Sequence, residues 1–157
     1  ILLNERKDIE FIVTTPMFST TYLKRCKEIS RKYPNFKIYV KLKPYQLYNV
    51  MWSSKVVLST SYYDIFPTGV AYSVLRKCLP VLPERQPFIE IYPCRTLYNT
   101  LDKAADMIID FIDNYEEYRK LLDEILEKLR FHDFRNVWRR ILTTIGINKV
   151  EIVRWWL

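Results

Sequence analysis

Short apolar runs alternate with amphipathic stretches over the first hundred residues. "EFIVTT" (Glu10–Thr15) is rich in β-branched residues and is stopped by Pro16, which predicts a buried strand. In "STTYLKRCKEISRKY", Ser19 or Thr20 can cap a helix whose Tyr22, Cys26, Ile29 and Tyr33 fall at helical spacing, and Pro34-Asn35 breaks it. "FKIYVKLK" (Phe36–Lys43) alternates apolar and polar positions, predicting a strand with one wet face. Pro44 then opens a short helix, "YQLYNVMWSS". "KVVLSTS" predicts a strand with a polar end, "TGVAYSVLRKC" a helix and "LPVLPE" another strand, after which Pro87 turns the chain.

From Asn99 the period becomes that of a long helix, with Leu101, Ala105, Ile108, Ile109, Ile112, Tyr115 and Tyr118 tracing one face. A further amphipathic stretch runs through "LLDEILEKLRFHDF" to "RNVWRRILTTI". The alternation predicts an α/β fold: a parallel Rossmann-like sheet flanked by helices, ending in long C-terminal helices. Its length of 157 residues fits one domain, mostly helical from about residue 99.

Composition narrows the chemistry. With only 2 glycines, neither a G-x-G-x-x-G nor a Walker phosphate loop can be written, which removes two large nucleotide-binding classes. Cys26, Cys78 and Cys94 are scattered and odd in number, so they read as buried thiols of a cytoplasmic, reducing environment. A single histidine, His132, leaves no basis for a zinc site. No apolar run approaches the roughly 18 residues of a membrane span, and the charged "ILLNERKDIE" is unlike a signal peptide. Abundant Lys, Arg and Glu with few glycines fit a thermostable protein. Charge is uneven: residues 1–60 carry 11 Lys+Arg against 4 Asp+Glu (+7), and the rest 14 against 14. Such a basic first part suits phosphate-bearing partners or is simply a solvated surface.

Parallel α/β sheets bind ligands at the carboxyl ends of their strands. Ser59, Thr60, Ser61 and Asp64 follow "VVL", and Glu84 and Arg85 follow "VLP", so all lie on that edge. Thr68, Gly69 and Val70 open a helix whose amides suit an anion. Each has a plainer reading: Asp64 as a cap or turn residue, Glu84–Arg85 as a surface ion pair, Glu90 as a loop lock, and Lys41 and Lys43 as a solvated strand end.

The stretch "VVLSTS", Asp64, Phe66, "PVLP" (Pro80–Pro83), "FIEIYP" (Phe88–Pro93) and "LYNTLDKAADMI" resembles the donor half of a retaining, nucleotide-sugar-using GT-B glycosyltransferase. More narrowly, it is similar to the tRNA-queuosine mannosyltransferase group. Over roughly residues 10–142 the resemblance implies hexose transfer from a nucleotide-sugar donor, without an obligatory metal or other cofactor. It implies Asp64 as a catalytic carboxylate, and Glu84, at the neighbouring strand end, is the second candidate. Donor contacts would come from Lys43, Thr60, Ser61, Phe66, Thr68, Gly69, Val70, Arg85 and Glu90. The sequence departs from the family in three places. Of the E-x7-E motif only Asp64 keeps a carboxylate, since Tyr72 holds the second position. The family's turn glycine falls at Pro67, which has no amide to donate. The resemblance also implies that the chain starts after the family's first donor-domain strand and helix, and that an acceptor domain or subunit is its partner.

A second function class uses the same residues. Basic residues 1–60 with Tyr39, Tyr45 and Tyr48 would bind nucleic acid, and Asp64, Glu84 and Glu90 would hold Mg²⁺ for phosphodiester cleavage if they converge. A third possibility is a non-catalytic partner subunit. The terminal "RWWL" fits docking on the protein's own surface, a partner or a membrane interface.

Overall fold

The computed structural model describes residues 2–15, 20–62, 67–131 and Thr144. They fall into two compact units, Ile1–Ser54 and Lys55–Leu157. Both are mixed α/β with parallel strands, as the alternating pattern predicts.

In the first unit a one-turn helix α1 (Leu2–Glu5) leads into β1 (Phe11–Thr15), helix α2 (Thr20–Lys32), β2 (Phe36–Val40) and α3 (Pro44–Ser53). Parallel strands cannot be joined by a tight turn, so α2 makes the crossover, and β1 and β2 pair from Phe11↔Phe36 to Thr15↔Val40. Asn35, expected only as a breaker, donates its side-chain amide to the carbonyls of Arg6 (3.2 Å) and Ile9 (3.1 Å), fixing the entry to β2. β2 stops three residues short of the expected Lys43. Lys41 takes a left-handed φ of 52° while its amide still bonds the Thr15 carbonyl, and that conformation ends the strand. Pro44 then starts α3 as expected, at a position where no amide is needed.

The second unit contains β3 (Val56–Leu58), α4 (Thr68–Val74), β4 (Leu79–Pro83) and the short α5 (Phe88–Ile91). A 3₁₀ turn (Cys94–Thr96), β5 (Leu97–Tyr98), α6 (Leu101–Asp113) and α7 (Tyr115–Phe131) complete it. The strand order is β3–β4–β5, all parallel, with Leu58 opposite Val81 and Leu82 opposite Leu97. α6 lies against all three strands, α4 against β3 and β4, and α7 against α4, α5, α6 and β4. All five residues of β4 are consequently buried.

Two helices differ from expectation for identifiable reasons. α4 ends at Val74, four residues before Cys78. Lys77 adopts φ 70°, with the amides of Lys77 and Cys78 bonding the carbonyls of Val74 and Ser73, which is a Schellman closure built on lysine. The long helix from Asn99 is two helices, broken at Asn114, whose side chain turns back to Asp110. The buried face of α6 is Ala104, Ile108 and Phe111, and Leu101, placed on that face by periodicity, is 73% exposed.

Candidate functional site

The second unit gathers its polar groups at the carboxyl edge of β3, β4 and β5, and the sheet register explains the shape of that edge. The Leu79 amide bonds the Lys55 carbonyl, and the Ser59 amide bonds the Val81 carbonyl. The next step of this parallel ladder would send the amide of residue 83 to the Ser59 carbonyl. Residue 83 is proline and has no amide. Tyr98, at the end of β5, supplies the missing donor: its hydroxyl bonds the Ser59 carbonyl at 2.8 Å. The β3–β4 ladder therefore stops at Ser59. Burial pushes the Tyr98 hydroxyl above the ordinary tyrosine pKa, while the positive charge of Arg85 pulls it back.

Above this rung Ser59 Oγ accepts the Ser61 amide at 3.3 Å, forming a small hydroxyl-closed turn. Thr60 is exposed and Ser61 half-buried. Tyr62 follows β3 and Arg85 follows β4, each four residues beyond a member of the paired couple Leu58–Val81. The guanidinium carbon of Arg85 lies 4.2 Å from the centroid of the Tyr62 ring, well inside cation–π range. Tyr62 is 73% exposed. It was not singled out from sequence; the equal four-residue offsets from a paired position were the available signal.

The other expected residues divide by location. Glu84 is exposed, and its amide bonds the Tyr98 carbonyl at 2.7 Å, continuing the β4–β5 ladder. Glu90 lies exposed in α5, with its amide on the Pro87 carbonyl. Thr68 and Gly69 are exposed in the first turn of α4, where a Cβ added to Gly69 would meet no atom within 4 Å, so internal packing places no demand for glycine. Val70 is turned into the core. Lys43 belongs to the first unit, at the N-terminus of α3, with its amide on Gln46 Oε1 at 2.9 Å. Asp64, Phe66, His132 and the "RWWL" tail lie outside the described residues. Among the described residues no three His, Cys, Asp or Glu side chains form a metal-binding group. Also among them, no helix is long and apolar enough to cross a membrane.

The thiols separate in the same way. Cys26 and Cys78 are buried and Cys94 is exposed. Burial raises the Cys78 pKa to about 11, which keeps it protonated and unreactive near neutrality. In the first unit, Leu23, Lys27, Ser30 and Arg31 of α2 with Ile38 and Val40 of β2 line an open cavity of about 450 Å³ that sequence reasoning had not picked out.

No family model matches the chain, and no solved structure matches it. It is similar to a tRNA-queuosine alpha-mannosyltransferase of Drosophila melanogaster, at 28% identity over 79 residues. That likeness takes in 50% of this chain and 21% of the relative, so only about a fifth of the relative's length is spanned.

Proposed function

We propose that residues 1–157 act together as one donor-binding α/β domain of a glycosyltransferase that moves a hexose from a nucleotide sugar, completed by an acceptor-binding domain or subunit. The observation that carries the reading is the gathering of Ser59–Tyr62 and Glu84–Arg85 at the carboxyl edge of the β3–β4–β5 sheet. The partial likeness to a mannosyltransferase supports it. At a strand edge of this kind, hydroxyls and a guanidinium orient a phosphorylated ligand while the apolar body of the sheet stays dry.

The residues divide by chemistry. Thr60, Ser61 and Thr68 offer hydroxyls to the donor, and open space at Gly69 leaves the backbone of α4 approachable. Arg85 compensates the charge of the leaving diphosphate, a role that needs no proton transfer. Asp64 and Glu84 are the carboxylates proposed to orient the transferred sugar and stabilise the positive charge that develops at its anomeric carbon. Phe66 supplies apolar contact, and Glu90 a hydrogen-bond acceptor. Tyr72, half-exposed at 48% on α4, stands where the family has its second glutamate and offers one hydroxyl where two carboxylate oxygens would bridge a ribose. The relative's name specifies a tRNA nucleoside as acceptor; the same acceptor class for the complete protein is part of the proposal.

A thermal-shift titration with GDP-, UDP- and ADP-linked sugars tests it. A ligand that binds only the folded protein adds about 2.7 kcal/mol at 100 times its Kd. A rise in Tm with one nucleotide sugar, lost in Asp64→Ala, is expected. No rise with any of them would sink the donor reading. Salt-sensitive binding of a nucleic acid in its place would point to the phosphodiester class.

A further inference from the structure

We infer that the stacked pair Tyr62–Arg85 is a phosphate clamp in which Arg85 contacts the anion and Tyr62 is a positioning residue. This rests on the donor reading for the identity of the whole ligand, and on the stack alone for its affinity for phosphate.

Three observations converge on it. First, Arg85 is held. Its guanidinium sits 4.2 Å from the Tyr62 ring centroid, and its own amide bonds the Pro83 carbonyl at 2.8 Å. Side chain and backbone are therefore both constrained before any ligand arrives, which reduces the ordering cost of binding. Second, no described carboxylate claims the charge. Among the described residues no carboxylate forms an ion pair with Arg85, not even its neighbour Glu84. Stacking engages the face of a guanidinium and leaves the N–H donors at its rim for a planar or tetrahedral oxyanion. Third, the setting favours an anion. Arg85 lies where Pro83 has ended the β3–β4 ladder, and its charge reaches the Tyr98 hydroxyl strongly enough to oppose the effect of burial there.

The arrangement selects arginine over lysine. An ammonium would keep the charge but lose the planar stack and the paired donors that match two oxygens of a phosphate. Tyr62 contributes its ring rather than its hydroxyl, so phenylalanine should replace it and an aliphatic residue should not. The ligand class is a phosphate ester or diphosphate, and inorganic pyrophosphate is the smallest probe that carries the recognised group.

The experiment is isothermal titration of the full chain with inorganic pyrophosphate and, separately, with GDP-mannose. The proteins compared are wild type, Arg85→Gln, Arg85→Lys, Tyr62→Phe and Tyr62→Leu, with Lys103→Gln as a control cation at an exposed position of α6. Far-ultraviolet circular dichroism confirms that each variant is folded. Arg85→Gln is expected to weaken pyrophosphate binding by about tenfold to a hundredfold, the loss of a charge-assisted hydrogen bond. Arg85→Lys should fall between wild type and Arg85→Gln. Tyr62→Leu should weaken binding by about twofold to fivefold, the scale of an exposed cation–π contact, while Tyr62→Phe and Lys103→Gln leave it unchanged.

The clamp is overturned if pyrophosphate fails to bind wild type, or binds Arg85→Gln and Arg85→Lys as well as wild type. It is also overturned as a stacked device if Tyr62→Phe loses as much as Tyr62→Leu. The two readings separate cleanly. Arg85-dependent pyrophosphate binding with no gain from the mannose nucleotide keeps the clamp and removes that donor. Nucleotide-sugar binding indifferent to Arg85 keeps the donor reading and removes the clamp.

Discussion

β2 and β4 are both five residues long and both pair only in parallel, yet they live in different environments. Among the described residues β2 alternates half-buried Phe36, Ile38 and Val40 with exposed Lys37 and Tyr39, has β1 as its one partner, and pairs Lys37 with Glu10 on the surface. β4 has a partner on each side and no exposed side chain. The contrast extends to the units around them. In residues 2–54 the described apolar side chains that reach full burial are Ile9, Leu23 and Cys26, whereas the second unit encloses Phe88, Leu79, Leu82, Ile125, Val74 and Val81 almost completely. A two-stranded sheet with one wet face draws little from burial, and a strand enclosed on both faces and both edges draws much. Stability is thus concentrated around β4, the strand that Arg85 follows.

The largest effect expected from this contrast is in Phe88→Ala. Removing a fully buried ring should lower unfolding free energy by about 3–5 kcal/mol, measured by urea denaturation. Leu23→Ala, in the thinner core of the first unit, should lose about 2 kcal/mol, the lower end for a buried leucine. Equal losses at the two sites would break the contrast, and hydrogen exchange supplies a second check, with amides of β2 opening sooner than those of β4.

A smaller loss should come with alkali. Burial holds the folded Cys78 thiol near 11, above its unfolded value, so folded protein retains the proton longer. Its contribution is complete below about pH 8.5, the ordinary thiol pKa, and is lost as pH rises toward 11. Melting curves across that window should show an alkaline decline that is smaller in Cys78→Ala. Tyr98→Phe should lose about 1 kcal/mol, the scale of one neutral hydrogen bond, because no amide can take its place at Ser59. The smallest effect is a gain: Lys77→Gly should add about 0.5–1 kcal/mol by relieving the left-handed backbone that ends α4.

Much of the architecture was legible because burial writes itself into residue order. The unbroken "LPVLP" announces a strand enclosed on both faces, and the alternation of "FKIYV" a strand half in water. The polar residues after "VVL" and "VLP" could likewise be assigned to one edge, since parallel strands end together. What escaped notice depends on partners distant in the chain. Lys77 can close α4 without glycine in a setting where its carbonyl also accepts the Tyr115 hydroxyl, 38 residues away. Asn114 divides the terminal helix, yet a pattern of apolar spacing runs straight through it, and the same pattern counts Leu101, at the exposed first position of α6, as core. Tyr62 looked like one tyrosine in a polar turn. Only the pairing of Leu58 with Val81 brings it to Arg85.

The Tyr98–Ser59 bond has a consequence for how this edge can change over generations. A backbone amide belongs to the polymer itself, and substitution by any residue except proline leaves it in place. Where Pro83 has surrendered its amide, the last rung is carried by a phenol that one nucleotide change can delete. This edge of the sheet is therefore adjustable by ordinary point mutation, while the strands behind it stay fixed.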